Sequence, residues 1–372
     1  MKLPIPAEEQ FRAAAHHERV TSKIGLALAV TFTTCFVTGL LSHLIQHPPG
    51  WFFWPSRPIG LYRVTQGLHV ISGVASIPLL LAKLWSVYPK LFGRPLVRSL
   101  PHALERLSIL VLSGAAFFEL TTGLLNVAQN YPWGFYFPQV HYAVAWLAIG
   151  SILVHVAVKL PIIRRALSRT APVEERPTEG LSRRGFLLTT GLATGVAVVA
   201  TAGATVPFLR GVSALSWRTG KGTQQLPVNR TATAAGVTWS PDWRLSVVTP
   251  RGTAKFSLDE LRALPQTTAE LPIACVEGWS QSATWRGISL PTLLKAAGAA
   301  PGTAVRVSSS ERGGLYGVSV LPGEHTADEL TLLALELNGE VLAPDHGFPC
   351  RIIAPNRPGV LQTKWVTKLE AL

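Results

Sequence analysis

Before residue 210 the chain carries five predominantly apolar runs, at roughly 24–45, 66–88, 107–128, 140–161 and 186–208. Each has about 20 residues, the length at which a helix crosses the hydrocarbon of a bilayer. A segment placed there has little choice but to be helical, because no water satisfies its backbone N–H and C=O groups. Only 15% of the residues are charged, against 48% hydrophobic, in keeping with membrane segments. The net charge of +13 could point to nucleic acid, but its distribution argues against that partner. Lys and Arg number four in 1–23, four in 89–106 and seven in 159–184, whereas 44–65 and 128–140 together hold only Arg57 and Arg63. The positive-inside rule places the three basic segments in the cytoplasm and the two poor ones outside. Five crossings from a cytoplasmic N-terminus leave the C-terminus outside.

The stretch Leu181-Ser182-Arg183-Arg184-Gly185-Phe186-Leu187 is a twin-arginine export signature, followed by an uncharged run from Phe186 to Leu209. That pathway exports domains already folded, usually around a cofactor. The expected organisation is a four-helix transmembrane module over 1–162, a cytoplasmic linker over 163–185, a fifth, anchoring helix over 186–209 and an extracytoplasmic domain over 210–372. The location this implies is the cytoplasmic membrane of a prokaryote, crossed several times. Past 210 short β-type runs (Arg244–Val248, Ala304–Val307, Cys350–Ile353) alternate with turns rich in Gly and Pro. Two short helices are expected near 257–264 and 289–297, each opened by a Ser capping signal. The pattern reads as a soluble α+β domain.

Eight of the ten histidines precede residue 160. An ionisable side chain inside a bilayer is costly and is a functional candidate by default. His141 and His155, 14 residues apart on one predicted helix, are separated by roughly 21 Å of axis and return to within about 40° of one face. That spacing suits one ligand to each of two hemes. At the outer level His69 and His43 could supply a second imidazole; at the inner level the nearest are His102, His16 and His17. Glu119, in the outer half of the third helix, is a second intramembrane ionisable group, a candidate to accept protons from a quinol or a carboxylate bonded to a neighbouring helix.

Gln66-Gly67-Leu68-His69 and the His141/His155 pair resemble the diheme b-type cytochrome subunits of membrane-bound formate dehydrogenases and hydrogenases. The resemblance implies that His69 and His141 hold an outer heme b and that His155 serves an inner one. The family's remaining ligand, near the start of the first helix, falls close to Gly25, where this chain has no histidine.

Three cysteines, Cys35, Cys275 and Cys350, make no disulfide framework, although one bridge between Cys275 and Cys350 is arithmetically allowed. Cys275 lies in Ile273-Ala274-Cys275-Val276-Glu277-Gly278-Trp279-Ser280. Further on come Trp285-Arg286-Gly287-Ile288, Leu337-Asn338-Gly339-Glu340, Asp345-His346-Gly347-Phe348-Pro349-Cys350-Arg351 and Lys364-Trp365-Val366. In this order the segments resemble the molybdopterin domain of the sulfite oxidase family, nearest its bacterial sulfoxide reductase branch. A thiolate is a soft ligand for a transition metal, and the resemblance implies that Cys275 binds molybdenum. It further implies that His346, Arg351 and Lys364 grip the pterin and its phosphate, that Ser310 or Ser309 contacts the cofactor, and that Tyr316 is an active-site tyrosine. Where sulfite oxidases follow the ligand cysteine with Ala-Gly-Asn-Arg-Arg, this chain has Val-Glu-Gly-Trp-Ser, without the sulfite-binding arginine.

The expected fold is thus a membrane α-helical bundle, a four-helix cytochrome b plus an anchor helix, joined to a sulfite oxidase-type α+β domain. The expected function is a molybdenum-cofactor oxidoreductase. It would exchange electrons with quinol or quinone through one or two b hemes and reduce a small S-oxide or N-oxide. Sulfite-type oxidation feeding the quinone pool, and a cytochrome b with a non-catalytic outer domain, are the alternatives.

Overall fold

The computed structural model describes residues 11, 13–92, 97–168, 180–216 and 222–372. Residues 169–179, the middle of the expected linker, lie outside the described residues. The chain divides into two units. One comprises 1–40, 68–203 and 211–217, and the other 41–67, 204–210 and 218–372.

Among the described residues, five helices are long and apolar enough to cross a membrane: α1 (Glu18–Gln46), α2 (Leu61–Val87), α3 (Leu100–Val127), α4 (Phe137–Leu167) and α5 (Arg183–Thr201). They start three to seven residues before the apolar runs do, because local caps rather than hydropathy end a helix. Ser99 accepts the His102 N–H at the start of α3, and Ser182 accepts the Gly185 N–H at the start of α5. The twin arginines fill the first turn of α5, where cations oppose the helix dipole by about 0.3–1 kcal/mol each. Helix stability therefore does not explain them.

Within the first unit, Val20, Ile24 and Leu79 form an apolar cluster with Phe186 and Leu187 on α5. Phe36 meets Trp146 edge-on at 4.9 Å. Small hydroxyls are satisfied inside the helices: Ser76 Oγ lies 2.8 Å from the Ser72 carbonyl and 2.7 Å from Thr31 Oγ1 on α1. The outward faces are apolar, with Leu110 68% and Val196 67% exposed.

The second unit holds two five-stranded sheets. In the first, the order is β2 (Gly252–Phe256), β1 (Leu245–Thr249), β10 (Val366–Ala371), β5 (Val305–Ser309), β6 (Val318–Leu321). Only the β1–β10 pair is parallel, with Val247 opposite Leu369. The second sheet runs β3 (Thr267–Ala274), β4 (Ser280–Ser289), β7 (Leu332–Leu337), β8 (Glu340–Val341), with β9 (Arg351–Ile353) also on β7. Leu245, Val247, Val305, Val307 and Leu369 from one sheet share a core with Ile288, Leu333 and Ile352 from the other. α6 (Leu258–Ala263) begins with a reciprocal capping box between Ser257 and Glu260, α7 (Leu290–Ala296) with a Ser289 cap, and α8 (Gly323–Thr326) is a single turn. Cys275 and Cys350 are both thiols, so the arithmetically allowed bridge does not form.

Candidate functional site

β3 ends at Ala274, and Cys275 opens the turn into β4. The turn is closed by the Cys275 N–H donating to the Trp279 carbonyl (2.8 Å) and the Gly278 N–H donating to the Cys275 carbonyl (3.0 Å). Gly278 adopts φ 85°, which a glycine takes without strain. Cys275 is 1% exposed and lines a recess of about 310 Å³, counting its open mouth. Asn229, Trp279, His346, Arg351, Gly359 and Lys364 are among the other lining residues.

Three basic side chains converge there. Arg351, at the start of β9, is buried. It donates to the carbonyls of His346 (3.1 Å) and Gln362 (3.0 Å), lies 5.1 Å from the Trp285 ring, and leaves its buried Nε without a partner among the described residues. Lys364 Nζ donates to Asn229 Oδ1 (3.2 Å) and to the carbonyls of Arg230 (2.6 Å) and Asp345 (3.0 Å), above the Trp365 ring. His346, in the 3₁₀ turn Pro344–His346, donates from Nε2 to the Thr223 carbonyl (2.6 Å). Burial lowers Arg351 to about 9. Burial, then the neighbouring Arg351, lowers Lys364 to about 7. Burial, reinforced by Arg351 and Lys364, lowers His346 to about 4. The hydrogen-bond partners of the two cations are all neutral. Buried cations so placed are costly until an anion joins them.

Gly347 makes the convergence sterically feasible. It has φ 111°, and a Cβ there would come 3.1 Å from both Arg351 Cβ and Lys364 Cβ. Opposite, Gly359 presses on the cysteine turn, where a Cβ would meet the Cys275 Cα at 3.4 Å. A thiol facing a cation pair with one idle donor fits a sulfur-ligated, anionic cofactor.

The recess brings together Cys275, His346, Arg351 and Lys364, but Tyr316 and Ser310 do not line it. The Tyr316 hydroxyl lies 3.5 Å from Gln46 Oε1. Ser309 acts behind the wall, its Oγ donating to the Lys364 carbonyl (2.7 Å), while the Ser310 N–H donates to the Trp365 carbonyl. Asn229 and Trp279 are lining residues that sequence reading missed. A further buried cation was missed as well: Arg357 donates to the Val320 carbonyl (2.8 Å), and burial lowers it to about 10. The dense turn text Asn356-Arg357-Pro358-Gly359 was the available signal.

In the helical unit the His69 and His141 rings lie 6.4 Å apart, at 70° to each other. His69 Nδ1 is held by the Cys35 carbonyl (3.0 Å) and Thr38 Oγ1 (3.2 Å). His141 Nδ1 is held by Thr122 Oγ1 (3.0 Å), and its Nε2 lies 3.1 Å from a Glu119 carboxylate oxygen. Gly39 admits the His69 ring, whose Cε1 would be 3.0 Å from a Cβ there. His155 has Lys83, Lys159 and Glu105 as charged neighbours. In the other unit the His43 ring lies 4.9 Å from that of His47.

Against known proteins, residues 232–372 match the model of the oxidoreductase molybdopterin binding domain. The chain is similar to an uncharacterised oxidoreductase, YuiH, of Bacillus subtilis (30% identity, over 31% of this chain and 57% of that one). It is also similar to the sulfite oxidase of Arabidopsis thaliana (28%, over 32% and 38%). A third relative, from Azospira oryzae, is named as a protein-methionine-sulfoxide reductase subunit (29%, over 31% and 42%). The chain thus spans from under two fifths to under three fifths of the length of these relatives. With its thiol and cations disposed as described, the C-terminal part of this chain, residues 232–372, is an oxidoreductase molybdopterin-binding domain.

Proposed function

We propose that this chain is a membrane-bound molybdenum-cofactor oxidoreductase that passes electrons between a quinone pool and a small oxygen-atom donor, an S-oxide or N-oxide, by way of b-type heme. The observation that carries the reading is the Cys275 thiol in the wall of a recess whose two cations, Arg351 and Lys364, have only neutral hydrogen-bond partners. Bound there, the molybdenum cofactor would supply a two-electron centre for oxygen-atom exchange. Cys275 would be its protein ligand. Arg351, with its idle Nε, and Lys364 would hold the anionic end of the pterin, and His346 would offer a neutral imidazole, since its proton affinity is depressed. The similarity to a sulfoxide reductase subunit, and the lack of arginine at 276–279, favour reduction of an oxide over oxidation of sulfite.

Heme is supported by the outer histidine pair. The His69 and His141 rings lie 6.4 Å apart and are the residues that would hold it. In both rings Nδ1 is engaged, which directs Nε2 to the metal. Ligation would take His141 Nε2 from Glu119 and leave that carboxylate beside the site as a proton acceptor for quinol. At the inner end Lys83 Nζ stands 3.0 Å from where a Gly25 Cβ would be, and no imidazole takes the place of the family's remaining ligand there. One heme fits this arrangement better than two. Apolar outward faces on all five helices support the membrane assignment.

Elemental analysis with a reduced-minus-oxidised spectrum tests the reading. Wild type should carry roughly equimolar molybdenum and b-type bands. Cys275→Ser should lose substrate turnover and keep the bands. A purified full chain free of molybdenum would refute it.

A further inference from the structure

The loop segments expected outside the membrane, 44–65 and 128–140, hold Arg57 and Arg63 as their only Lys or Arg. The two are used differently. Arg57 forms a bidentate pair with Asp328 (2.8 and 2.9 Å). Arg63, in the first turn of α2, has no carboxylate partner among the described residues, and its Nη1 donates to Ser282 Oγ on β4 (3.2 Å). Arg210, a few residues past α5, likewise has no acidic partner among the described residues. Its Nη2 donates to the Ser280 carbonyl (3.0 Å), and its buried Nε has no acceptor there.

Arg63, Arg210 and β4 belong to one unit. Ser280 and Ser282 are two residues, or about 7 Å, apart along β4, so the strand sets the two guanidiniums side by side. Burial, and then the charge of Arg63, hold Arg210 below the usual guanidinium range. Ser280 is 2% exposed, and its hydroxyl also lacks a partner among the described residues. Like charges held together in this way repel, and an anion between them removes that cost. The surroundings indicate which anion. Phe208, two residues from Arg210, is 84% exposed, and Val64, next to Arg63, is 58% exposed. Trp51 and Phe53 of the same unit are exposed as well. A soluble oxyanion has no use for bare apolar side chains beside its donors. A phospholipid uses both, cations for its phosphate and apolar surface for its chains.

Given the membrane assignment proposed above, we infer that Arg63 and Arg210, with the Ser280–Ser282 end of β4, bind the phosphate of an anionic phospholipid whose acyl chains lie against Phe208 and Val64. None of these residues lines the cofactor recess. The site nevertheless bears on it through the cysteine turn. Arg210 holds the Ser280 carbonyl, and Thr205 Oγ1 donates to the Gly278 carbonyl. The stretch just past α5 thus braces the turn that carries the thiol, and a phosphate on Arg210 steadies that brace.

The test is thermal unfolding of the full chain in phosphatidylcholine vesicles with increasing fractions of phosphatidylglycerol. A ligand of the folded state raises the melting temperature with its concentration. Arg63→Gln and Arg210→Gln each remove one donor. Arg251→Gln removes the same charge from the exposed turn between β1 and β2. Each variant is compared with itself in pure phosphatidylcholine, so a change in basal stability cancels. The site predicts a rise in wild type. Each of Arg63→Gln and Arg210→Gln should need about fivefold more phosphatidylglycerol for half the effect. Arg63→Lys should need less than Arg63→Gln, and Arg251→Gln should match wild type. If Arg210→Gln fails to fold, Arg63→Gln, whose lost donor serves only a serine hydroxyl, still decides. A wild-type response retained in the glutamine variants, or weakened as much by Arg251→Gln, would overturn the site. An equal rise with inorganic phosphate in pure phosphatidylcholine would make it a free-anion site and overturn the lipid. A full chain recovered from cells in the aqueous fraction without detergent would instead sink the membrane reading beneath it.

Discussion

Lys364 should make the cofactor-free protein more stable at alkaline pH, contrary to what a lysine ordinarily does. Burial and the adjacent Arg351 lower its value from 10.5 to about 7 in the folded chain. Between these values the unfolded chain binds the extra proton, so stability rises with pH. The penalty is complete below pH 7 and lifts as pH climbs toward 10.5. Integrated at 1.36 kcal/mol per unit, the relief from pH 7 to pH 9 is about 2 kcal/mol. Contact of the half-buried ammonium with water reduces this to about 1–2 kcal/mol. For a domain of this size that is roughly 2–8 °C of melting temperature. The assay is thermal unfolding of full-length protein from cells unable to make molybdopterin, followed by the fluorescence of the buried Trp285 and Trp365. Lys364→Met removes the charge and keeps the stem, and should show no such gain. Cofactor-loaded wild type should also lack it, because an anion beside the ammonium holds the proton. A cofactor-free wild type whose melting temperature tracks that of Lys364→Met from pH 7 to 9 would refute the idea of an uncompensated cation in the recess.

Other outcomes follow from single contacts. Gly347→Ala forces both a left-handed φ and a 3.1 Å approach to Arg351 and Lys364. It should cost about 1–3 kcal/mol and lower pterin content in proportion, read by cofactor fluorescence after denaturation. Cys350 is buried in the sheet core, with its thiol near the Val366 carbonyl. Cys350→Ala should cost about 1 kcal/mol of stability and leave molybdenum content unchanged, the opposite pattern to Cys275→Ser. His69→Ala and His141→Ala should each abolish the same b-type absorbance, whereas His43→Ala should retain it; loss of the bands in His43→Ala would move the outer ligand to the end of α1.

What was legible in the sequence is what depends on neighbours along the chain. The capping box at Ser257 and Glu260 is complete within four residues, so α6 could be placed from the text. The five apolar runs were visible for the same reason. Their true ends were not, because Ser99 and Ser182 continue α3 and α5 beyond the apolar stretch. Cys275, His346, Arg351 and Lys364 were found through short motifs, and the recess unites them because β3, β9 and the start of β10 meet around it. Ser310 was placed by its spacing from Cys275, and Tyr316 by the resemblance of its own segment. Spacing does not report that the turn holding Tyr316 points its hydroxyl toward Gln46.

Asn356 shows why the remainder was out of reach. Its partners lie 294 to 302 residues away in sequence, and none of Trp54, Pro55, Ile59 and Tyr62 forms a recognisable motif with it. Nothing local to Trp54 announces that its indole N–H serves the backbone carbonyl of Asn356. Likewise the parallel β1–β10 pair joins strands some 120 residues apart, a register that no local pattern encodes. Long-range polar contacts of this kind are selected by the need to satisfy buried donors and acceptors. Each of the four groups of Asn356 would be an orphan if the α1–α2 connection were elsewhere. The hydrogen-bond requirement of one buried asparagine therefore ties a segment between two apolar helices to the loop over Cys275. The connection is thereby fixed against that loop although it lies some 170 residues before the matched domain begins.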